Sequence, residues 1–262
     1  MPTLHAIIFD VDGTLAETER DGHRVAFNRA FAAAHLPWHW NEELYGELLT
    51  VAGGKERIRH FIDRYRKSAD LGGQPPPDVP NLDRLIAELH AAKTVHYRQL
   101  LQAGKIPLRP GVRRLMDEAR QRGIRLAIAT TSAPDNAIAL LETALAPDSP
   151  DWFEVIAAGD VVPAKKPAPD IYRYVLTQMG LTPDTCLAIE DSQHGLAAAS
   201  QAGLRTVVTV NDYTRQQDFS QALLVLDHLG DEGLPATAIA GDLGTGTALT
   251  VDLAQHLLTV PL

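Results

Sequence analysis

The sequence predicts an α/β protein: a parallel sheet core flanked by helices, with a helical cap inserted after the first strand. Three observations carry this. The apolar runs at 4–10, 124–132, 185–192 and 204–211 are continuous rather than alternating, as in strands buried on both faces. Segments of helical spacing at 111–123 and 195–203 separate them, closing on Gly123 and Gly203 where a C-terminal glycine turns a helix into the next strand. Residues 18–104 hold no such strand and read instead as amphipathic helices at 24–36, 55–67 and 82–104. The expected domains are therefore a core of residues 1–17 and 105–262 and a cap of residues 18–104.

Taken in order, the first strand, "LHAIIFD", runs into "VDGT", so Asp10 and Asp12 stand at its carboxyl end. In the cap, "LGGQPPPDVP" (71–80) predicts a loop between two helices. His35, Trp38, His39 and Trp40 read as cap core or rim. After the cap, the second strand ends on Thr130, Thr131 and Ser132, and Pro134 suits the first turn of a helix. The third run ends on Glu190 and Asp191. The tail segment "FSQALLVLDHLGD" predicts a helix and a short strand, and the Gly/Thr-rich 236–250 carries no readable pattern.

Composition narrows the class without naming it. The 262 residues are 45% apolar, and the early apolar run is too short for a secretory signal or a membrane span. A single cysteine, Cys186, makes no internal disulfide, so a reducing, cytoplasmic location is expected. A net charge of −9 argues against nucleic-acid binding. The expected partner is a small molecule, with no membrane and a monomeric protein.

Ligands of open parallel sheets bind beyond the carboxyl ends of the strands. Asp10, Asp12, Glu190 and Asp191 would converge there with three hydroxyls. Asp and Ser at such turns often do no more than cap helices. Four converging carboxylates repel one another, however, and a hard divalent cation with oxygen ligands, Mg²⁺, resolves the repulsion. Asp10 then becomes a candidate nucleophile towards a phosphoryl group, and Asp12 a candidate acid and base. Gly13 lets the backbone approach the phosphoryl group, Thr131 and Ser132 offer donors at a helix start, and "AKKPAPD" brings Lys165 and Lys166.

"DVDGT", "LAIATTS", "KKPAPD" and "AIEDSQHG", in this order, resemble the four motifs of the haloacid dehalogenase-like phosphatases. The combination is more specific than any one motif and spans Asp10 to Gly195. The resemblance implies a Rossmann-like core, with Asp10 as nucleophile, Asp12 as general acid and base, and Thr130 as the phosphate-binding hydroxyl. It also implies Lys166 as the phosphate-binding lysine and Mg²⁺ held by Asp10, Asp12 and Asp191, with Glu190 beside Asp191 or as a weaker ligand. The cap insertion is similar to that of the β-phosphoglucomutase and phosphoglycolate phosphatase branch. Within the branch, 16–28, 45–58 and "YTR" (213–215) resemble the CbbY type, the xylulose-1,5-bisphosphate phosphatases found with Calvin-cycle genes.

The cap's own residues agree with a bisphosphate. "AGGK" (52–55) predicts a glycine turn whose Gly53 and Gly54 N–H groups, with Lys55 and Arg57, would bind a second phosphate. Lys55 and Arg57 also read as plain surface charges. Glu17 would accept hydrogen bonds from sugar hydroxyls; His23 reads either as a proton relay or hydroxyl partner, or as cap packing. A β-phosphoglucomutase-like mutase and a phosphatase of phosphoglycolate or another sugar phosphate are the alternative activities.

Overall fold

The computed structural model describes residues 3–51, 53–65 and 81–260. The Pro-rich stretch 71–80 and the end of the helix expected at 55–67 lie outside the described residues. The chain divides into two compact units, Met1–Glu17 with Pro107–Leu262, and Thr18–Ile106. Among the described residues no helix is long and apolar enough to cross a membrane.

The core unit opens with β1 (Ala6–Phe9), every residue of which is buried. The helical unit follows. A π-helical turn, Thr18–His23, leads into α1 (Arg24–Ala33); α2 (Glu42–Leu48), α3 (Gly54–Tyr65) and α4 (Leu82–Gln102) complete it. Asn41 and Asn81 cap α2 and α4 by accepting from the backbone N–H groups of Leu44 and Arg84. The interior is aromatic: Trp40 packs on Phe27, Phe31 and Phe61 with ring centroids 4.7–5.3 Å apart, mostly in tilted or edge-on pairs. Trp38 and Trp40 are buried in this cluster, whereas His35 and His39 are exposed. Asn28 clamps the chain before α2 by exchanging two hydrogen bonds with the Trp40 backbone.

On returning to the core unit the chain forms α5 (Val112–Gln121), β2 (Arg125–Thr130), α6 (Pro134–Ala144), β3 (Phe153–Ala158), α7 (Asp170–Met179), β4 (Cys186–Glu190), α8 (Gln193–Gln201) and β5 (Arg205–Thr209). The tail adds β6 (Leu224–Leu226), β7 (Ala238–Ala240) and α9 (Val251–Leu257). The sheet order is β3-β2-β1-β4-β5-β6-β7, parallel except for β7. Phe9 is level with Ile128 of β2 and Ile189 of β4, so the ends of the three central strands share one rim.

Two expectations are corrected. The apolar run before Asp227 forms only a strand, because Leu224, Val225 and Leu226 pair with β5 and are fully buried there, and the residues before it turn rather than coil into a helix. The sheet also gains β3, which sequence reasoning passed over. It is an edge strand whose Glu154 faces solvent and pairs with Arg125, and that charge interrupts the continuous apolar signature of a central strand.

Candidate active site

Asp10 leaves β1 with its N–H bonded to the Ile189 carbonyl at 3.0 Å, which fixes its carboxylate between the ends of β2 and β4. Lys166 meets it from the loop before α7: Nζ lies 2.6 Å from Asp10 Oδ1, 2.6 Å from Glu190 Oε1 and 2.8 Å from the Ala129 carbonyl. Its neighbour Lys165 points elsewhere and pairs with Asp160 on the exposed surface. The Lys166–Pro167 peptide bond is cis. Glu190 is fully buried and also accepts from Tyr172 Oη at 2.5 Å. Asp191 accepts from Asn211 Nδ2 at 2.7 Å. Asp12 accepts from Ser132 Oγ, and Thr130 Oγ1 accepts from the Ser132 N–H at 3.1 Å. Thr130 is buried and Thr131 exposed.

Two glycines make room for these groups. Gly13 has φ +82°, and a Cβ there would lie 2.2 Å from Asp191 Oδ2. A Cβ on Gly195 would lie 1.8 Å from Glu190 Oε2, so the first turn of α8 can approach the carboxylate only without a side chain.

Carboxylate oxygens of Asp10, Glu190 and Asp191 lie within 4.8 Å of one another, all three buried. Burial raises the Asp10 pKa to about 7; Lys166 opposes the rise, and Glu190 and Asp12 add to it. Burial, then Asp10 and Glu190, hold Asp191 well above the usual carboxylate range. Burial works against the Lys166 ammonium, yet the two carboxylates carry its pKa above the ordinary lysine value. One ammonium thus pairs with two of the three buried acids, Asp10 and Glu190, and the Arg109 charge acts on the third, Asp191. The excess negative charge and the hard oxygen donors fit a small divalent cation.

In the helical unit, Gly53 has φ +90° and leads into α3, with the Glu56 side chain folded over it and Lys55 exposed on the first turn. Arg57 differs from a surface charge. It is buried, donates to Tyr45 Oη at 2.9 Å and the Leu48 carbonyl at 3.2 Å, and stacks over the Tyr45 ring. Tyr45 in turn donates to Glu19 at 2.5 Å. His23 packs on Tyr97, and its Nδ1 lies 2.9 Å from Lys93 Nζ. Burial, then Lys93, Arg57 and His90, hold its pKa well below the usual histidine value, so it is neutral. Glu17, in the core unit, pairs with Arg109 at 3.0 Å.

Sequence reasoning missed Tyr172, Asn211 and Arg109. None stands in a charged motif, and only the folded sheet brings α7 and the end of β5 to the rim.

The model of the haloacid dehalogenase-like hydrolases matches residues 4–203. The chain belongs to that family. Within it the protein CbbY of Rhodobacter capsulatus is 50% identical over 84% of this chain and 91% of its own. A crystal structure of CbbY from Rhodobacter sphaeroides, a D10N mutant in complex with xylulose 1,5-bisphosphate, is 47% identical and covers 88% of this chain and 99% of its own, with a TM-score of 0.71. The structure of a putative β-phosphoglucomutase from Thermotoga maritima, 24% identical over 85% of this chain and 94% of its own, shares the fold at a TM-score of 0.66. The chain is thus an enzyme, a hydrolase of the CbbY type.

Proposed function

We propose that this hydrolase is a Mg²⁺-dependent phosphatase of sugar bisphosphates, with xylulose 1,5-bisphosphate as its substrate. The observation that carries the reading is Asp10, fixed by Lys166 at the centre of a buried carboxylate cluster, with Asp12 two residues on held by Ser132. The likeness to CbbY proteins supports the substrate.

Asp10 attacks phosphorus in line with the leaving oxygen, and the phosphorus–oxygen bond to the sugar breaks as an aspartyl-phosphate forms. Asp12 gives its proton to the leaving sugar oxygen. It then takes a proton from the water that attacks phosphorus, which releases phosphate and restores the Asp10 carboxylate. Lys166 and the Thr130 and Ser132 region receive the phosphoryl oxygens. Asp10, Asp191 and the Asp12 carbonyl would hold Mg²⁺, with Glu190 adjoining, and the ion supplies charge neutralisation to the phosphoryl group. In the helical unit the Gly53–Gly54–Lys55 turn binds the second phosphate, while Arg57 keeps the chain at Leu48 in place. Glu17 accepts hydrogen bonds from sugar hydroxyls, and His23 serves as a neutral hydroxyl partner. The enzyme works as a cytoplasmic monomer.

The test is phosphate release from xylulose 1,5-bisphosphate, ribulose 1,5-bisphosphate, phosphoglycolate and hexose phosphates in the presence of Mg²⁺. Highest kcat/KM on xylulose 1,5-bisphosphate is expected. Conversion of glucose 1-phosphate to glucose 6-phosphate with a bisphosphate primer, without free phosphate, would make the protein a mutase instead.

A further inference from the structure

Arg109 is buried in the segment by which the chain re-enters the core unit, next to Pro110. Its N–H donates to the Leu15 carbonyl at 2.8 Å, and the adjoining Leu108 bridges Ala16. The guanidinium reaches several parts of the core. It donates to the Thr209 carbonyl at 3.0 Å, Thr209 Oγ1 at 3.1 Å, the Val210 carbonyl at 2.6 Å and the Asp227 carbonyl at 2.7 Å. It also donates to the Gly13 carbonyl, inside the turn that carries Asp10 and Asp12. Nε lies 3.0 Å from Glu17 Oε1, with the arginine side chain 6% and the glutamate side chain 18% exposed.

A planar guanidinium with several donors used on carbonyls of separate segments has one orientation. A carboxylate paired to it inherits that orientation, and the poor solvent access keeps the pairing strong. The same group therefore ties the nucleophile turn and Glu17 to the ends of β5 and β6 as one rigid block.

We propose that Arg109 is a positioning residue for substrate selection, which acts by holding the Glu17 carboxylate in register with the Asp10–Asp12 turn. This rests on the reading of Glu17 as the acceptor for sugar hydroxyls. Arg109 touches no reacting atom; its contribution is the place of a carboxylate that does contact substrate. Lysine in its place keeps a cation but loses the fork, so the Glu17 carboxylate loses its contact with Nε.

The experiment compares wild type, Arg109→Lys, Glu17→Gln and the double variant, each with Mg²⁺. The substrates are xylulose 1,5-bisphosphate and 4-nitrophenyl phosphate, which carries no sugar hydroxyl. Each single variant should lower the ratio of kcat/KM on the sugar bisphosphate to kcat/KM on the nitrophenyl ester about tenfold or more, the scale of one charge-assisted hydrogen bond, and this ratio is what the double variant is compared on. The double variant should be no worse than Glu17→Gln, because both changes remove the same interaction. Equal losses on both substrates, or additive losses in the double variant, would show that Arg109 only braces the fold and would overturn the proposal. An unchanged substrate ratio in Glu17→Gln alone would overturn the Glu17 reading, and this proposal with it. Should Arg109→Lys fail to fold, Thr209→Val removes one acceptor of the same guanidinium. A smaller loss confined to the sugar substrate is then expected, and an equal loss on both refutes the positioning role.

Discussion

Replacing Asp10 by Asn should stabilise the metal-free protein while it abolishes turnover. Asp10 has a pKa of about 7 in the folded protein against an ordinary value of 3.8, with burial the main cause. Between those values the folded state retains a proton that the unfolded chain has lost, so stability falls as pH rises from 3.8 to 7. Asparagine resembles the protonated side chain at every pH and still offers Lys166 an oxygen. At pH 8 the relief is the full shift of about three pKa units, on the order of 4 kcal/mol at 1.36 kcal/mol per unit. At pH 5 only about one unit of it has accrued, or roughly 1–2 kcal/mol. For a unit of this size 1 kcal/mol moves Tm by about 2–4 °C, so Asp10→Asn should melt roughly 8–16 °C higher at pH 8 and only a few degrees higher at pH 5. The assay is thermal unfolding in EDTA at the two pH values, repeated with Mg²⁺, which should stabilise wild type more than the variant and so narrow the gap. A variant no more stable than wild type at pH 8, or a gain independent of pH, would refute the argument that unneutralised charge at Asp10 weakens the fold. Measurable phosphatase activity in the pure variant would separately refute the aspartyl-phosphate mechanism.

The raised pKa values of Asp10 and Asp191 make metal and protons competitors, so Mg²⁺ affinity measured by calorimetry should increase from pH 6 to pH 8 with protons released on binding. Asp191→Ala should weaken that affinity at least tenfold; an unchanged affinity would remove Asp191 from the ligand set. Gly195→Ala puts a methyl group on the Glu190 carboxylate, and its displacement should loosen Lys166, lowering both kcat and Tm; an active, equally stable variant would mean that the first turn of α8 yields without cost. Lys55→Ala should cut kcat/KM on a bisphosphate by about ten- to a hundredfold and spare a small monophosphate, as expected for one lost charge-assisted contact to phosphate. Equal losses on both would assign Lys55 to the helical unit's own structure.

Much of this protein is legible in one dimension because the chemistry is written in strand ends. A continuous apolar run followed by two carboxylates and a glycine marks a buried strand that delivers charge to a rim. Phe9–Asp10 and Ile189–Glu190 meet there since parallel pairing puts the carboxyl ends of neighbouring strands side by side. Helices were readable where an amphipathic stripe needs a partner, as in α4, and β3 was not, because an edge strand with an outward Glu154 has no two-sided burial to declare itself. Side-chain chemistry alone does not separate Lys165 from Lys166, and it is the family motif before "PAPD" that selects Lys166. Folding separates them: one lies on the surface with Asp160, and the other is buried between Asp10 and Glu190, where a lone ammonium offsets two acids. Arg57 read as a ligand of a second phosphate or as a surface charge, since helical periodicity alone does not reveal that carbonyls and Tyr45 await its guanidinium. Nor does any motif announce Arg109, which lies ninety-two residues beyond its carboxylate partner and draws its acceptors from β5 and β6, strands that follow it in the chain. Sequence specifies which groups are charged and which strands are buried on both faces. Which of those charges lose their water, and against what partner, follows only from the packing of segments distant in the chain, and that desolvation sets the pKa of Asp10 and the placement of Lys166.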